Sequence, residues 1–482
     1  MTIVTRFDLL KNRRTKIVAT IGPASAAREM CQQLIEAGVN VFRLNMSHGD
    51  QETHRAAYRN IREAAAGLRL PVAVMADLCG PKIRTGKFEG GSVTLQDGAL
   101  VTVTTRDVMG TAGLIPSQYE ALADDVAPGN DILLADGLLT LRVLAVTGTE
   151  ITCEVVHGGV LADHKGINLP GVSVSAPSLT AKDIDDAAFA ASLGVDYIAL
   201  SFVRAATDIA GLRELLAGQD SQPQIIAKIE KPEALENADA ILAESDGIMV
   251  ARGDLGVELP PEEVPVAQDE LIELARDHGK PVIVATQMLE SMITHARPTR
   301  AEVTDVSHAV MMGTDAVMLS GETAVGAFPV EAVRIMDRVA KQTEAHLWSR
   351  GRYGVARGDL APPVPVWNVM ANATAHISRD LMARGVIVIS RSGTSAATVS
   401  TARPAAPVVG ITSEPRVYQR MALLWGLIPL LVDDAEATAP TDLARQVAAE
   451  LGLGVAGQYV LLLRGFHDDP QLNAPSVTVI TL

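Results

Sequence analysis

Two apolar runs end in charge. Residues 225–230 read IIAKIE and residues 247–254 read GIMVARGD, so Lys228 and Glu230 close the first and Arg252 and Asp254 the second. Carboxylates at the ends of neighbouring strands are hard oxygen donors. Two of them, completed by substrate oxygens, make a common Mg²⁺ site. The same residues also read as structural ion pairs, with Lys228 or Arg252 as the cation. Lys228 lies two residues before Glu230, so both side chains share one strand face. A lysine inside a core is costly unless it meets negative charge. A phosphate or a developing oxyanion would supply that charge, and Glu230 alone is the plainer partner.

RLNMSHG at 43–49 puts Arg43 and Asn45 on one strand face, followed by Ser47 and His48. Arg43 and Arg84 are candidate phosphate clamps, because a guanidinium fork matches phosphate oxygens. An ordinary surface arginine is the alternative, and the strand-end position favours the clamp for Arg43. Other signals carry little. RGD at 252–254 lies at a strand end, and GLGVAG at 452–457 has a helix before it and a strand after, the reverse of the dinucleotide fingerprint. His48 and His54 lack zinc spacing, no H-E-x-x-H occurs, and Cys79 reads as a packing residue.

These groups need a frame. EAGVNVFRLN, SLGVDYIALS, DHGKPVIVAT and MMGTDAVMLS each start from a helical pattern, stop at a glycine (Gly38, Gly194, Gly279, Gly313) and run on as an apolar strand. Seven residues after each glycine stands a small polar residue: Asn45, Ser201, Thr286 and Ser320. Glycine suits the left-handed stop of a helix, and a continuous apolar run suits a strand buried on both faces. KIVATI at 16–21, PVAVMAD at 71–77, and the strands ending at Glu230 and Arg252 bring the count to eight. Capping boxes are expected at Thr180–Asp183 and Thr299–Glu302. Eight alternating units predict an α/β fold built on a (β/α)₈ barrel, whose active site lies at the C-terminal ends of the strands. The charged ends and Asn45, Asp77, Ser201, Thr286 and Ser320 would then share one mouth.

The pattern breaks twice. Residues 87–173 lose the helical period and alternate in short runs between Gly-Asp and Asp-Gly turns, which predicts an inserted β-barrel domain placed as a lid. The linker GRYGVARGDLAPPVP at 351–365 precedes a separate C-terminal α/β domain at 351–482 with strands GVIVIS, PVVGIT, LIPLLV, QYVLLL and SVTVIT. The barrel therefore takes 1–86 and 174–350. In the tail, Ser390, Arg391, Ser392, Gly393, Thr394 and Ser395 lie between a strand and a helix expected to begin near Ser395. Their N–H groups and hydroxyls could cradle a phosphate at the helix start; a plain turn is the alternative.

Composition narrows the partners. Of 482 residues 48% are hydrophobic but only 3% aromatic, so the core is large and aliphatic. A formal charge of −16 argues against nucleic acid or an anionic membrane as partner. Three cysteines favour a reducing compartment over a disulfide framework. With no run of eighteen apolar residues and no cleavage signal in the first sixteen, a cytoplasmic protein is expected.

Together, TKIVATIGPAS, VFRLNMSHG, DLCGPKIRTG, AKIEKPEAL, DGIMVARGDLGVELP, VATQMLESM, RPTRAEVTDV and VMLSGETA resemble the pyruvate kinases, along the whole barrel. The resemblance implies phosphoryl transfer from phosphoenolpyruvate to ADP, giving ATP and, after protonation of enolpyruvate, pyruvate. It implies Mg²⁺ or Mn²⁺ on Glu230 and Asp254, Lys228 at the transferring phosphoryl group and Arg43 on phosphate. Thr286, Ser320 and Glu322 would lie near the enolate and its proton route. Asn45, Ser201 and Gly253 would line the substrate site, and His48, Arg84 and Lys182 would surround the nucleotide and its metal. It also implies a homotetramer and an effector phosphate at 390–395. The last loop, RGFHDDPQLNAPS, lacks the glycine- and serine-rich character of fructose-bisphosphate-responsive relatives, so a monophosphate (a sugar phosphate or AMP) is expected.

K⁺-dependent members hold the ion with residues matching Asn45, Ser47, Asp77 and the carbonyl of Leu78. They carry glutamate where this chain has Lys82, and threonine and lysine at Leu78 and Cys79. Lys82 resembles the branch that works without K⁺, its ammonium standing for the missing cation. Two other classes stay open: a metal-dependent barrel lyase acting on a pyruvate enolate, and a non-enzymatic sensor.

Overall fold

The computed structural model describes residues 13–219, 221–354, 363–433, 439–466, 471 and 473–482. Part of the linker at 351–365 and part of the last loop at 464–476 lie outside these residues.

Eight parallel strands close into a barrel: β1 (Lys16–Thr20), β2 (Val41–Asn45), β3 (Ala73–Asp77), β4 (Tyr197–Leu200), β5 (Gln224–Ile229), β6 (Gly247–Ala251), β7 (Val282–Ala285) and β8 (Ala316–Leu319). Ring order follows the chain, and β8 returns to pair with β1. Strand parity sorts the core into two layers. Ile225, Ala227 and Ile229 pack outward with the helices, whereas Ile226 joins Val18, Met75, Tyr197, Met249 and Met318 inside the ring. Lys228 has the parity of Ile226 and so enters the barrel. Ala422 and Leu423 from the C-terminal region join the inner layer.

Gly38, Gly194, Gly279 and Gly313 all have positive φ, between 68° and 129°, as helix stops at these positions require. Both capping boxes form, on Thr180 with Asp183 and on Thr299 with Glu302. One expectation needs correcting. Asp254 is not at a strand end, because β6 stops at Ala251 and a helix runs directly from Arg252 to Glu258. The carboxylate sits in that helix's first turn, where the positive end of the helix dipole favours it.

The segment between β3 and β4 forms a six-stranded sheet and a separate two-stranded sheet, not one closed barrel like the eight parallel strands. Its core gathers Val103, Ile132, Leu141 and Cys153. Glu258 ties it to the barrel, accepting from Asn168 at 3.2 Å and from Lys231 at 2.6 Å.

The C-terminal sheet has five strands, ordered Leu427–Leu431, Val408–Thr412, Val386–Ile389, Tyr459–Arg464, Ser476–Thr481, the last antiparallel to its neighbour. Near its seam with the barrel, the Arg14 guanidinium lies among the rings of Trp348, Tyr353 and Trp425, 4.4–5.5 Å from each centroid. Ion-to-ring attraction of this kind contributes about 0.5–2 kcal/mol.

Candidate active site

Lys228 is the centre of the mouth. Its Nζ donates to Ser201 Oγ at 2.7 Å, pairs with Glu230 Oε1 at 2.7 Å and lies 3.3 Å from Asp77 Oδ1. The side chain is 10% exposed. Burial alone would lower its pKa, but Asp77 and Glu230 outweigh burial and raise it, so the lysine stays charged. Asp77 is fully enclosed, and burial would raise its pKa; Arg43 and Lys228 reverse that and hold it low. Arg43 Nε meets Asp77 Oδ2 at 2.5 Å, and its Nη1 donates to Thr20 Oγ1 at 3.1 Å. Sequence reasoning misses Thr20, the last residue of β1. Its place at a strand end is the available signal, but no glycine precedes it at the repeated offset.

Glu230 is also buried. Its Oε2 accepts the Phe202 N–H at 2.8 Å. Burial pushes its pKa up, Lys228 offsets part of this, and the negative charge of Asp254 adds to the rise. Asp254 is half-buried and has no hydrogen-bond or ion-pair partner among the described residues. Arg252 supplies none, because its guanidinium goes to Asp305 at 2.6 Å. Three carboxylates thus face two cations. An unpartnered carboxylate that raises a buried neighbour fits the donor set of a divalent cation, which would complete its shell from substrate oxygens. No cluster of three or more His, Cys, Asp or Glu suited to a metal occurs among the described residues.

Thr286 follows β7 in an unusual conformation. Its φ is +69° and that of Gln287 is +55°. A β-branched residue there is a genuine outlier, costing on the order of 1–3 kcal/mol. The hydroxyl accepts the Gly253 N–H at 2.7 Å and donates to the Ala285 carbonyl at 2.6 Å. A Cβ on Gly253 would come within 3.2 Å of Thr286 Oγ1, so the glycine permits this approach. Glu322 is buried with both oxygens occupied, accepting from Leu289 N at 3.0 Å and Ser320 N at 2.7 Å. Burial raises its pKa despite those donors. The Ser320 hydroxyl is buried and finds no partner among the described residues.

The remaining residues spread outward. Asn45 Oδ1 accepts the Ser47 N–H at 3.2 Å, and Ser201 Oγ donates to the Leu78 carbonyl at 2.7 Å. His48 is exposed. Lys182 Nζ reaches the Met46 carbonyl at 2.8 Å and pairs with Asp186. Arg84 is bound to the inserted segment through the His164 carbonyl at 3.0 Å. Lys82 is exposed, without a partner among the described residues, and lines the same crevice as Asp254 and Lys231. It makes no contact with Asp77, whose oxygens already serve Arg43, Lys228 and Ser201.

At 390–395 the loop folds on itself. Ser390 Oγ accepts the Gly393 N–H at 3.1 Å, Ser392 Oγ donates to Thr394 Oγ1 at 3.0 Å, and Arg391 is exposed. The helix begins at Thr394, one residue earlier than expected, after Gly393 at φ +86°. Ser395 lies in its first turn.

Comparison places this arrangement among known proteins. Residues 12–333 match the family model "Pyruvate kinase, barrel domain" and 368–476 match "Pyruvate kinase, alpha/beta domain". Pyruvate kinase 2 of Synechocystis is 45% identical over 94% of this chain and 76% of its own length. A pyruvate kinase of Mycobacterium intracellulare is 43% identical over 94% and 95%. A crystal structure of a pyruvate kinase from Cryptosporidium parvum superposes with a TM-score of 0.89 at 38% identity, covering 97% of this chain and 96% of that one.

Proposed function

Because the chain belongs to the pyruvate kinase family, enzymes that pass the phosphoryl group of phosphoenolpyruvate to ADP and yield pyruvate, we propose that the residues around Lys228 carry that reaction here. The observation that carries the reading is the buried Lys228 ammonium, charged and fixed inside the barrel beside the unpartnered Asp254 carboxylate.

Glu230 and Asp254 would hold Mg²⁺ or Mn²⁺. The bound ion would supply Lewis-acid charge against phosphate and carboxylate oxygens. Lys228 stabilises negative charge on the phosphoryl group as it leaves the enol oxygen, and Arg43 orients the phosphate. Gly253 and Thr286 line the substrate site, with the Gly253 N–H holding the Thr286 hydroxyl. Thr286 and Ser320 flank the enolate as C3 takes its proton, and Glu322 holds the Ser320 backbone while lying beside that route. Asn45 and Ser201 complete the substrate wall, with His48, Arg84 and Lys182 toward the nucleotide.

The finer readings each rest on a single feature. K⁺ independence rests on Lys82, an unpaired ammonium in the crevice shared with Asp254. Activation by a sugar monophosphate or AMP rests on the loop Ser390–Ser395. Homotetramer assembly is supported by half-exposed apolar groups along the helix Val366–Asp380, among them Val366, Trp367 and Val369. A cytoplasmic site is proposed from the low cysteine count; among the described residues no helix is long and apolar enough to cross a membrane. Domain limits are proposed at 1–86 with 174–350, 87–173 and 351–482.

The test is pyruvate formation from phosphoenolpyruvate, with and without ADP and with and without Mg²⁺. Pyruvate that appears only with ADP and metal supports the reading. Pyruvate formed without ADP would mean that water takes the phosphoryl group, and none at all would return the lyase and the sensor classes.

A further inference from the structure

Arg252 follows β6 as the first residue of the helix Arg252–Glu258, yet it pairs with none of the three carboxylates of the mouth. Its side chain is 10% exposed, and its polar atoms reach three other elements. Nη1 meets Asp305 Oδ1 at 2.6 Å in the helix Arg300–Met312. The same nitrogen lies 3.3 Å from the buried Gln268 amide oxygen in the helix Val264–Asp277. Nη2 donates to the Thr286 carbonyl at 2.8 Å and contacts Met288 Sδ at 2.7 Å. The guanidinium therefore bridges two outer helices and the turn that carries Thr286 and Gln287, both left-handed.

A turn of that conformation persists only where its surroundings over-determine it. Three ties do so here: Arg252 on the Thr286 carbonyl, Gly253 N–H on its hydroxyl, and Glu322 on the Leu289 N–H. The Arg252 tie continues to the Asp305 carboxylate in the helix Arg300–Met312. A planar fork can serve Asp305 and the Thr286 carbonyl together, whereas a lysine point charge fixes neither direction. We propose that Arg252, anchored by Asp305, is a positioning residue. It braces the Thr286–Gln287 turn so that the Thr286 hydroxyl is held where the substrate carboxylate and enolate would lie. This rests on the function proposed above.

The test uses the full-length chain as wild type, Arg252→Lys, Asp305→Ala and the double variant. Hydrogen–deuterium exchange across residues 282–292 reads the brace without relying on activity, and steady-state kinetics read its consequence. Each single variant is expected to exchange faster in that segment. Each should lose kcat by up to about 100-fold, the scale of an ångström-sized misplacement, with KM for phosphoenolpyruvate little changed. The double variant should be no worse than the worse single, since either change releases the same brace. Deuterium uptake at the pyruvate methyl should fall with kcat. Unchanged exchange in both single variants overturns the proposal, as does faster exchange with normal kcat. Full activity in Asp305→Ala alongside an inactive Arg252→Lys would assign Arg252 direct contact with substrate instead, and also overturns it. A wild type that makes no pyruvate from phosphoenolpyruvate and ADP would sink the functional reading, while the exchange measurement would still decide the brace.

Discussion

Arg403, two residues beyond the helix Thr394–Thr401, places Nη1 3.0 Å from the buried carboxylate of Asp315, just before β8. Its Nη2 donates to the Gly313 carbonyl at 2.8 Å. One guanidinium thus joins the helix after the 390–395 loop to the strand that ends just before Ser320. Arg403→Met should strand the Asp315 charge and destabilise the chain by about 3–5 kcal/mol. Adding Asp315→Asn should restore a large part. Urea unfolding of the single and double variants measures both, and additive losses would show that the pair is not coupled.

Lys228→Met should lower kcat for phosphoryl transfer by about 10²–10³, the usual loss when one preorganised charge is removed. Enolisation of pyruvate, followed as deuterium uptake at the methyl, should remain measurable. Equal loss of both would show that Lys228 serves the proton step as well.

Lys82 is expected to make K⁺ dispensable. Activity in tetramethylammonium buffer free of Na⁺ and K⁺ should match activity with K⁺. Lys82→Glu should lower it, with partial recovery when K⁺ is added. Strong activation of the wild type by K⁺ would remove the assignment.

Ser392→Asp sets a carboxylate among the hydroxyls and N–H groups of the 390–395 loop. Like charge should abolish the response to any activating monophosphate. Sugar monophosphates and AMP, titrated against both forms, provide the check. If none alters wild-type activity, the loop is only a turn.

Lys16 makes stability depend on pH. It is buried, with Nζ on the Leu427 carbonyl at 2.8 Å. Burial lowers its pKa to about 7, Arg13 adds to the fall, and Glu344 and Asp315 oppose it. From there up to its ordinary value of 10.5 the unfolded chain holds the extra proton, so wild-type stability rises with pH. Below pH 7 both states are protonated and the folded state bears the full cost. Lys16→Met should therefore gain most over wild type near pH 6, by up to a few kcal/mol, since a tenfold change in proton affinity is worth about 1.4 kcal/mol. The gain should shrink toward pH 9. Urea midpoints at three pH values test the slope, and a constant difference would contradict it.

The barrel is legible because its signals are local: a glycine stop, a doubly buried strand and a polar residue at a fixed offset. Lys228 and Glu230 follow from strand parity alone. Asp254 is legible as a candidate ligand but not as part of a helix, since nothing in GIMVARGD marks where the strand turns. The partners of Arg252 are hidden for another reason. Asp305 lies 53 residues on and Gln268 sixteen, and only the closed ring of helices brings them together. Likewise, the occupied oxygens of Glu322 and the exposed place of Lys82 depend on tertiary packing, on which a short motif is silent.

Trp348 and Trp425 both lie against Arg14 at the seam between barrel and C-terminal sheet, in a chain with three tryptophans. The third, Trp367, is half-exposed on the helix Val366–Asp380. Trp425 is enclosed between the Arg14 and Arg403 cations, whereas Trp348 and Trp367 are both about half-exposed, so intrinsic emission combines one enclosed indole with two solvent-facing, red-shifted ones. A slip of one body against the other changes the emission spectrum directly. The seam carries its own optical gauge, readable during turnover without any attached dye.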